Sequence, residues 1–181
     1  MNFMSLIAKR RSIRRFKNKK IESHKIDTLI EAALRAPSSR GVNPWEFIVV
    51  NDTSVLEKLS KAKPHGAAFL ANAALGIVVC ANADQSDVWV EDAAIASIYI
   101  HLAATSLGLG SCWIQIRKRM HDENKTAQAY VAEVLVIPQN LRVESIVAIG
   151  HPDEEKSAHP NGQLSYQKAH MNRYGTRYDM T

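Results

Sequence analysis

Residues 87–113 read DVWVEDAAIASIYIHLAATSLGLGSCW, and this stretch decides the fold class. Up to Leu107 it is rich in alanine, isoleucine and leucine, and it is apolar almost all round. That pattern predicts one long helix, 87–107, buried on most of its sides. Because its many alanines permit close helix–helix approach, the helix is expected to be central or at a subunit interface. Gly108 is expected to end it, and a strand over 111–116 to follow.

The segments on either side of this helix alternate between helical and strand patterns. An unbroken apolar run at 74–80 predicts a strand buried on both faces. Further strands are expected at 45–50 and 145–150. Helices are expected at 3–9, from a cap at Ser23 onward, after a cap at Asp52 or Thr53, and at 120–131. This order indicates an α+β or α/β protein with a central sheet.

The positive charge of the chain is concentrated at its beginning. The 181 residues carry a formal charge of +5, but residues 1–25 hold nine Lys/Arg against one acid, Glu22. That segment is therefore +8 and the remaining chain is −3. A concentrated basic segment indicates an anionic partner, which is a phosphate, a nucleic acid or a membrane surface. One segment is a small footprint for a polyanion and an adequate one for a single phosphate.

Three motifs have a composition suited to binding. Residues 10–16 read RRSIRRF, which combines arginine donors matched to phosphate oxygens with a serine hydroxyl. Residues 36–45 read APSSRGVNPW, a loop that presents hydroxyls and backbone N–H groups. Gly108 and Gly110 invite a dinucleotide interpretation, but they close a helix and precede a strand, the reverse of the Rossmann arrangement.

Several classes of site and location find no support in the sequence. Cys80 and Cys112 each lie in an apolar, strand-like run, so both are expected to be buried small hydrophobes. No nucleophile elbow or zinc-protease motif is present, and His151, His159 and His170 are interpreted as surface histidines. No apolar stretch is long enough to span a membrane or to form a signal peptide. A cytoplasmic location with neither a membrane nor a nucleic-acid partner is therefore expected.

Taken in order, these motifs resemble the nitroreductase family of FMN-dependent oxidoreductases. The resemblance covers nearly the whole chain, from the RRSIRRF segment through the 36–45 loop, the alanine-rich helix and Ile149-Gly150-His151-Pro152. It implies an α+β fold with a central mixed β-sheet flanked by helices, built as an intertwined homodimer with two FMN sites at the interface. Residues 1–181 would form a single FMN-binding domain, with 151–181 a tail that docks on the core or on the partner subunit.

The resemblance also implies which residues bind the cofactor. Arg10 and Ser12 match positions that hold the FMN phosphate, with Arg11 at the variable position between them, and Arg14 matches a basic residue near N1 and O2 of the flavin. The remaining matches are a loop that reaches the flavin from the other subunit (Pro37, Ser38, Ser39 and Asn43), a stretch whose backbone faces the flavin N5 edge (Ile114 and Gln115), and a tail residue near the phosphate (Lys156). Gly41 stands where the family commonly has Asn, and Asn43 where it commonly has Gln.

The implied activity is NAD(P)H-dependent, ping-pong reduction of small acceptors such as nitroaromatics or quinones. No catalytic side chain is implied, since the flavin N5 carries the hydride and the protein positions and tunes the cofactor. The alternatives are a flavin-binding or storage protein with little turnover, a specialised relative that fragments flavin or removes halogen, and a nucleic-acid-binding module. Bleaching of the bound flavin by NAD(P)H separates the first alternative from the enzyme.

Overall fold

The computed structural model describes residues 2–178 and forms five α-helices and four β-strands in that range. The helices are α1 (Phe3–Lys9), α2 (Ser23–Leu34), α3 (Thr53–Ser60), α4 (Trp89–Ser106) and α5 (Ala127–Leu135). The strands are β1 (Trp45–Val50), β2 (Leu75–Asn82), β3 (Gly110–Gln115) and β4 (Leu141–Gly150). The α+β class and the order of elements expected from the sequence are confirmed.

The four strands form one sheet in the order β1-β2-β4-β3, and every neighbouring pair is antiparallel. The mixed sheet implied by the family resemblance is therefore antiparallel among its four strands. Within the described residues, parallel pairing is confined to an isolated bridge between Ser12 and Ser111.

The sheet is buried on both faces. Ile77 and Val79 of β2 belong to the apolar cluster that α2 and α4 cover, whereas Val78 and Cys80 face the opposite cluster, under α3 and α5. This alternation follows from the two-residue period of the strand. The apolar run at 74–80 was therefore correctly interpreted as a strand buried on two sides, with observed bounds Leu75–Asn82.

The long helix α4 is the central helix of the protein, because it contacts all four strands as well as α1 and α2. Gly108 follows its end with φ of +73°, and the N–H of Leu109 donates to the carbonyl of Ala104 over 2.8 Å. Gly108 thus ends the helix as predicted, since a left-handed residue there costs glycine little. Ile95, Ile98 and Tyr99 on this helix remain exposed in the single chain.

Three local predictions need correction. The helix expected at 120–131 begins only at Ala127, because the Asp122 carboxylate accepts hydrogen bonds from the N–H groups of Asn124 and Lys125 and holds a turn there. Thr126 caps the helix through Ala129 N–H. Strand β4 begins at Leu141 rather than at 145. Ser23 is the first helical residue of α2, and the cap position belongs to Glu22, which makes no capping side-chain bond.

Candidate active site

The basic segment 10–16 lies along the end of the sheet, where backbone hydrogen bonds hold it. The N–H of Ile13 donates to the carbonyl of Ser111 over 2.9 Å, and the N–H of Lys17 donates to the carbonyl of His151 over 2.9 Å. Ile13 and Phe16 are buried, so the charged residues between them are turned toward the surface. The buried side chains of Ile13 and Phe16 thereby anchor the segment on the sheet, and Arg14 and Arg15 point outward.

Two glycines make this close packing possible. A Cβ atom placed on Gly110 would lie 2.7 Å from Cγ2 of Ile13, and one on Gly150 would lie 2.8 Å from Cδ1 of Phe16. Contacts that short do not occur between real carbon atoms, so any side chain at either position displaces the basic segment. Gly110 and Gly150 therefore belong to the site although neither presents a functional group.

Four of the residues expected to bind the cofactor converge around Cys112. Burial raises the pKa of this thiol, while the charges of Arg14, Lys156 and Arg10 and the polar side chain of Ser12 act in the opposite direction. The Nζ of Lys156 also donates to the carbonyl of Ser12 over 2.7 Å. The structure thus brings three cations and a serine hydroxyl together at the start of β3, although Lys156 is more than 140 residues from the others in sequence.

Arg11 contacts the tail and lines a cleft beside the basic segment. Its guanidinium donates to the Ser157 carbonyl and lines a cleft of about 430 Å³ together with Lys9 and Lys156. Two carboxylates, Glu154 and Glu155, share the lining. Lys156 is therefore the residue common to the cleft and to the group around Cys112.

Glu154 is a site residue that sequence reasoning missed. Its Oε1 accepts hydrogen bonds from the backbone N–H groups of Arg14, at 2.5 Å, and Arg15, at 3.2 Å, and it lies 3.2 Å from Nζ of Lys156. The bond from Arg14 is the main cause of a lowered Glu154 pKa. Glu154 ties the start of the tail to the basic segment. The available signal was a carboxylate two residues before Lys156, in a tail expected to dock on the core or on the partner subunit.

The loop containing Pro37, Ser38, Ser39 and Asn43 is well ordered by its own contacts. The Ser38 hydroxyl lies 2.7 Å from Oδ1 of Asn43 and accepts the Asn43 N–H over 2.8 Å. The N–H of Ser39 donates to buried Asp92 over 2.8 Å. Gly41 has φ of +66°, a conformation that suits glycine at this departure from the family pattern.

The structure does not bring this loop to the basic segment within one chain. Ser39 is bound to Asp92, in the first turn of α4, whereas Thr105, in the last turn, lines the cleft with Arg11. At 1.5 Å per residue, these two positions on the helix are about 20 Å apart. The two groups of predicted residues therefore lie near opposite ends of the longest helix.

The side-chain amide of Gln115 makes three hydrogen bonds within the protein. Its Oε1 accepts the Trp113 indole N–H over 2.9 Å, and its Nε2 donates to the carbonyl of Arg117 over 3.1 Å and to Glu144 over 3.3 Å. Ile114 is buried in the core. Neither side chain is free to bind a ligand, but β3 is an edge strand with backbone groups unpaired by a neighbouring strand. A backbone role for Ile114 and Gln115 fits this position.

Two buried titratable groups adjoin the site. Burial, followed by the charge of Arg10, lowers the pKa of His101 to about 4, and its Nδ1 lies 2.7 Å from the Ser111 hydroxyl. Burial raises the pKa of Glu144, and the Gln115 hydrogen bond and nearby Arg117 only partly offset that shift. Sequence patterns marked neither residue. His151, interpreted as a surface residue, instead has its Nε2 buried 3.7 Å from Glu22.

The sequence profile described as the Nitroreductase family matches residues 7–65 and 60–151 of this chain. The chain belongs to the nitroreductase family. A curated relative from Archaeoglobus fulgidus, provisionally named NADH dehydrogenase/NAD(P)H nitroreductase, is 40% identical over 157 residues, covering 84% of this chain and 87% of the relative. The similarity extends over most of the nitroreductase-family chain. It confirms the family membership that the sequence motifs indicated.

Solved structures agree with the family assignment. An FMN-dependent nitroreductase from Clostridium difficile R20291 has a TM-score of 0.94 and 48% identity, covering 95% of this chain and all of its own. An NADPH:FMN oxidoreductase from Vibrio harveyi, complexed with NAD+, has a TM-score of 0.79 and 25% identity, covering 98% of this chain and 79% of its own. In residues 2–178 of the nitroreductase-family chain, no helix is long and apolar enough to cross a membrane. The same residues contain no metal-binding group of three or more His, Cys, Asp or Glu.

Proposed function

We propose that this protein is an FMN-dependent oxidoreductase that takes reducing equivalents from NAD(P)H and passes them to small acceptors such as nitroaromatics or quinones. The observation that carries the proposal is the group of Arg10, Ser12, Arg14 and Lys156 around Cys112, in a chain that belongs to the nitroreductase family. The names of the Clostridium and Vibrio relatives agree with the cofactor and donor class expected from the sequence.

The residues present fit FMN. Arg10, Lys156 and the Ser12 hydroxyl match the charge and hydrogen-bonding needs of a single phosphate, and the basic segment is held rigidly by the bonds of Ile13 and Lys17. Arg10 and Ser12 would hold the phosphate, with Lys156 beside them. Arg11, which lines the cleft together with Lys156, would be a further cation for it. The site assigned to Arg10, Ser12 and Lys156 suits the single phosphate of FMN rather than the diphosphate of FAD.

The remaining predicted residues would contact the flavin ring. Arg14 would place a guanidinium near N1 and O2, where it favours negative charge. Backbone groups of Ile114 and Gln115 would face N5, and the three bonds of the Gln115 side chain keep that edge of β3 in place. When bound, FMN supplies reversible hydride acceptance, so donor and acceptor use one face in turn, which is a ping-pong order. No acid–base side chain is needed.

The complete site would require two copies of the chain. Pro37, Ser38, Ser39 and Asn43 lie about 20 Å along α4 from the cleft, too far to reach a flavin bound at the basic segment of the same chain. In a homodimer the loop of one subunit would complete the site of the other. Each chain would be one domain, with the exposed tail docking on the core or on the partner, in a cytoplasmic enzyme without nucleic-acid or membrane partners.

The proposal is tested on the purified protein by its absorbance and by its response to NAD(P)H. We expect a yellow flavin spectrum, release of FMN on denaturation, and bleaching under anaerobic conditions within a turnover time, followed by reoxidation by a quinone. Release of FAD would overturn the cofactor assignment. Bound FMN that NAD(P)H fails to bleach would instead identify a flavin-binding or storage protein.

A further inference from the structure

A second cleft, of about 510 Å³, opens beside Arg14 and is separate from the cleft at Arg11. We call it the basic groove, and the charged residues of its lining are Arg14, Arg15, Lys17, Lys19, Lys20 and Asp153. Five cations thus face one carboxylate. The proposed function uses Arg14 at the flavin ring and Arg10, Ser12 and Lys156 at the phosphate, which leaves Arg15, Lys17, Lys19 and Lys20 without a role.

Most of this charge is not neutralised by the protein. Arg15 lies 3.9 Å from Asp153, and Lys19 lies 3.6 Å from Glu22. Among residues 2–178, no carboxylate lies within ion-pair distance of the other three groove cations, Arg14, Lys17 and Lys20. The groove therefore presents an excess of about three positive charges to a ligand, and such a concave cationic surface attracts anions.

The backbone that carries these cations is fixed. The N–H of Lys17 donates to the carbonyl of His151 over 2.9 Å, and the N–H of Asp153 donates to the carbonyl of Arg15 over 2.9 Å. Between them the Phe16 ring is buried against Gly150. Because the segment is already ordered, an anion that binds here does not have to order it, which favours binding.

Uncharged groups in the groove suit a nucleotide better than a bare ion. Asn51 and Asn72 contribute amides and Thr53 a hydroxyl to the same lining. Arg14 belongs both to this lining and, in the proposed function, to the flavin edge. A ligand that reaches from the flavin into the groove would therefore carry phosphate and polar sugar or base groups, and the hydride donor has that composition.

We propose that the basic groove binds the 2′-phosphate end of NADPH and makes the protein prefer NADPH over NADH. This inference rests on the proposed function, because it assumes that a nicotinamide dinucleotide is the donor. Lys17 and Lys20 are the groups assigned to the 2′-phosphate, since neither has a carboxylate partner in the described chain. NADH lacks that phosphate and would gain little from them.

The kinetic test compares K17A/K20A with a control, K58A/K61A, that removes two exposed lysines outside the groove lining, Lys58 in α3 and Lys61 just after it. K17A/K20A is expected to raise KM for NADPH at least about fivefold, with kcat unchanged and KM for NADH nearly unchanged. The effect should shrink as salt is raised. No rise in KM for NADPH, an equal rise for NADH, or an equal effect from the control would each overturn the assignment.

A binding measurement separates this inference from the proposed function. Adenosine 2′,5′-bisphosphate is titrated calorimetrically into the full-length protein as purified, with or without flavin. We expect binding that K17A/K20A weakens at least about fivefold and that K58A/K61A leaves unchanged. Absence of binding overturns the groove assignment even if the protein is an active flavoenzyme. Tighter, K17A/K20A-sensitive binding of an oligonucleotide would also overturn it, by assigning the groove to nucleic acid.

Discussion

At the scale of single residues, Arg10 and Lys19 distinguish a specific phosphate site from a general basic surface. Both carry one positive charge in the same segment, but Arg10 is half-buried near Cys112, whereas Lys19 is exposed and pairs with Glu22. Arg10→Ala is expected to weaken FMN binding about tenfold or more, because charge-assisted hydrogen bonds are lost. Lys19→Ala should cost little, because exposed charges are screened.

Flavin fluorescence at fixed salt gives the two FMN dissociation constants. Equal losses of FMN affinity in Arg10→Ala and Lys19→Ala would show that the segment is a solvated basic surface and not a specific phosphate site. Lys19 is a suitable control only for FMN binding. It also lines the basic groove, which is assigned to the hydride donor.

The free energy of unfolding is expected to fall when the pH is lowered below 6.5, because His101 then takes up a proton in the unfolded chain but not in its buried position. Its pKa in the folded protein is lowered to about 4 by burial and by Arg10, against about 6.5 for an exposed histidine. The neutral ring is therefore stabilising above pH 6.5, and this contribution, up to about 3 kcal/mol, is lost as the pH falls from 6.5 toward 4. The carboxylates with lowered pKa values, such as Glu22 and Glu154, lose their contribution to stability only at lower pH, as they become protonated.

The measurement is denaturant unfolding at several pH values between 7 and 5, for wild type and His101→Asn. Asparagine preserves a polar group opposite Ser111 without a titration in that range. The slope of unfolding free energy against pH should flatten in the variant. An unchanged slope would show that His101 is not the group responsible.

At the scale of elements, the docking of the basic segment on the sheet depends on Gly110 and Gly150. Gly110→Ala places a methyl group 2.7 Å from Ile13, so the segment must move away from β3. Overpacking of this kind costs about 1–3 kcal/mol. We expect a lower melting temperature together with weaker FMN binding, because Arg10 and Ser12 move with Ile13.

Gly162→Ala is the matched control, since nothing lies within 4 Å of its Cβ position and its φ is not positive. Thermal unfolding and FMN titration of both variants test the prediction. If Gly110→Ala binds FMN as tightly as Gly162→Ala does, the position of the segment does not govern the cofactor site.

At the scale of the whole molecule, the exposed apolar residues predict a dimer. Phe3 and Met4 of α1 are 63% and 69% exposed, and Ile98 and Tyr99 of the neighbouring α4 also face outward. Large apolar side chains exposed on two helices that contact each other indicate an association surface. Together with the distance between the 37–43 loop and the cleft, they favour a dimer in which each subunit completes the other's site.

Sedimentation equilibrium of the flavin-loaded protein should therefore give about twice the 20.1 kDa chain mass. A mass near that of one chain, for folded protein with FMN bound, would contradict both the dimer and the shared site. The proposed role of Pro37, Ser38, Ser39 and Asn43 would then have to be abandoned.

Apart from the family, which its motifs indicated, the sequence by itself determined the order of the elements and the burial of β2 on both faces. These features are encoded locally, because hydrophobic periodicity and composition within one segment decide whether it is a helix or a strand and how many of its faces are covered. Periodicity alone also placed the start of α5 too early. It does not register that the Asp122 carboxylate accepts hydrogen bonds from the backbone and holds a turn before the helix.

Only the tertiary structure decided the strand order, the antiparallel pairing and which distant segments of the chain meet at the candidate site. Glu154 and Lys156 join the basic segment across about 140 residues, and the place of that segment depends on glycines at the ends of β3 and β4. The basic groove likewise combines residues 14–20 with Asn51 and Asn72. Contacts between distant segments depend on the packing of particular side chains against one another, which no periodicity within a single segment records.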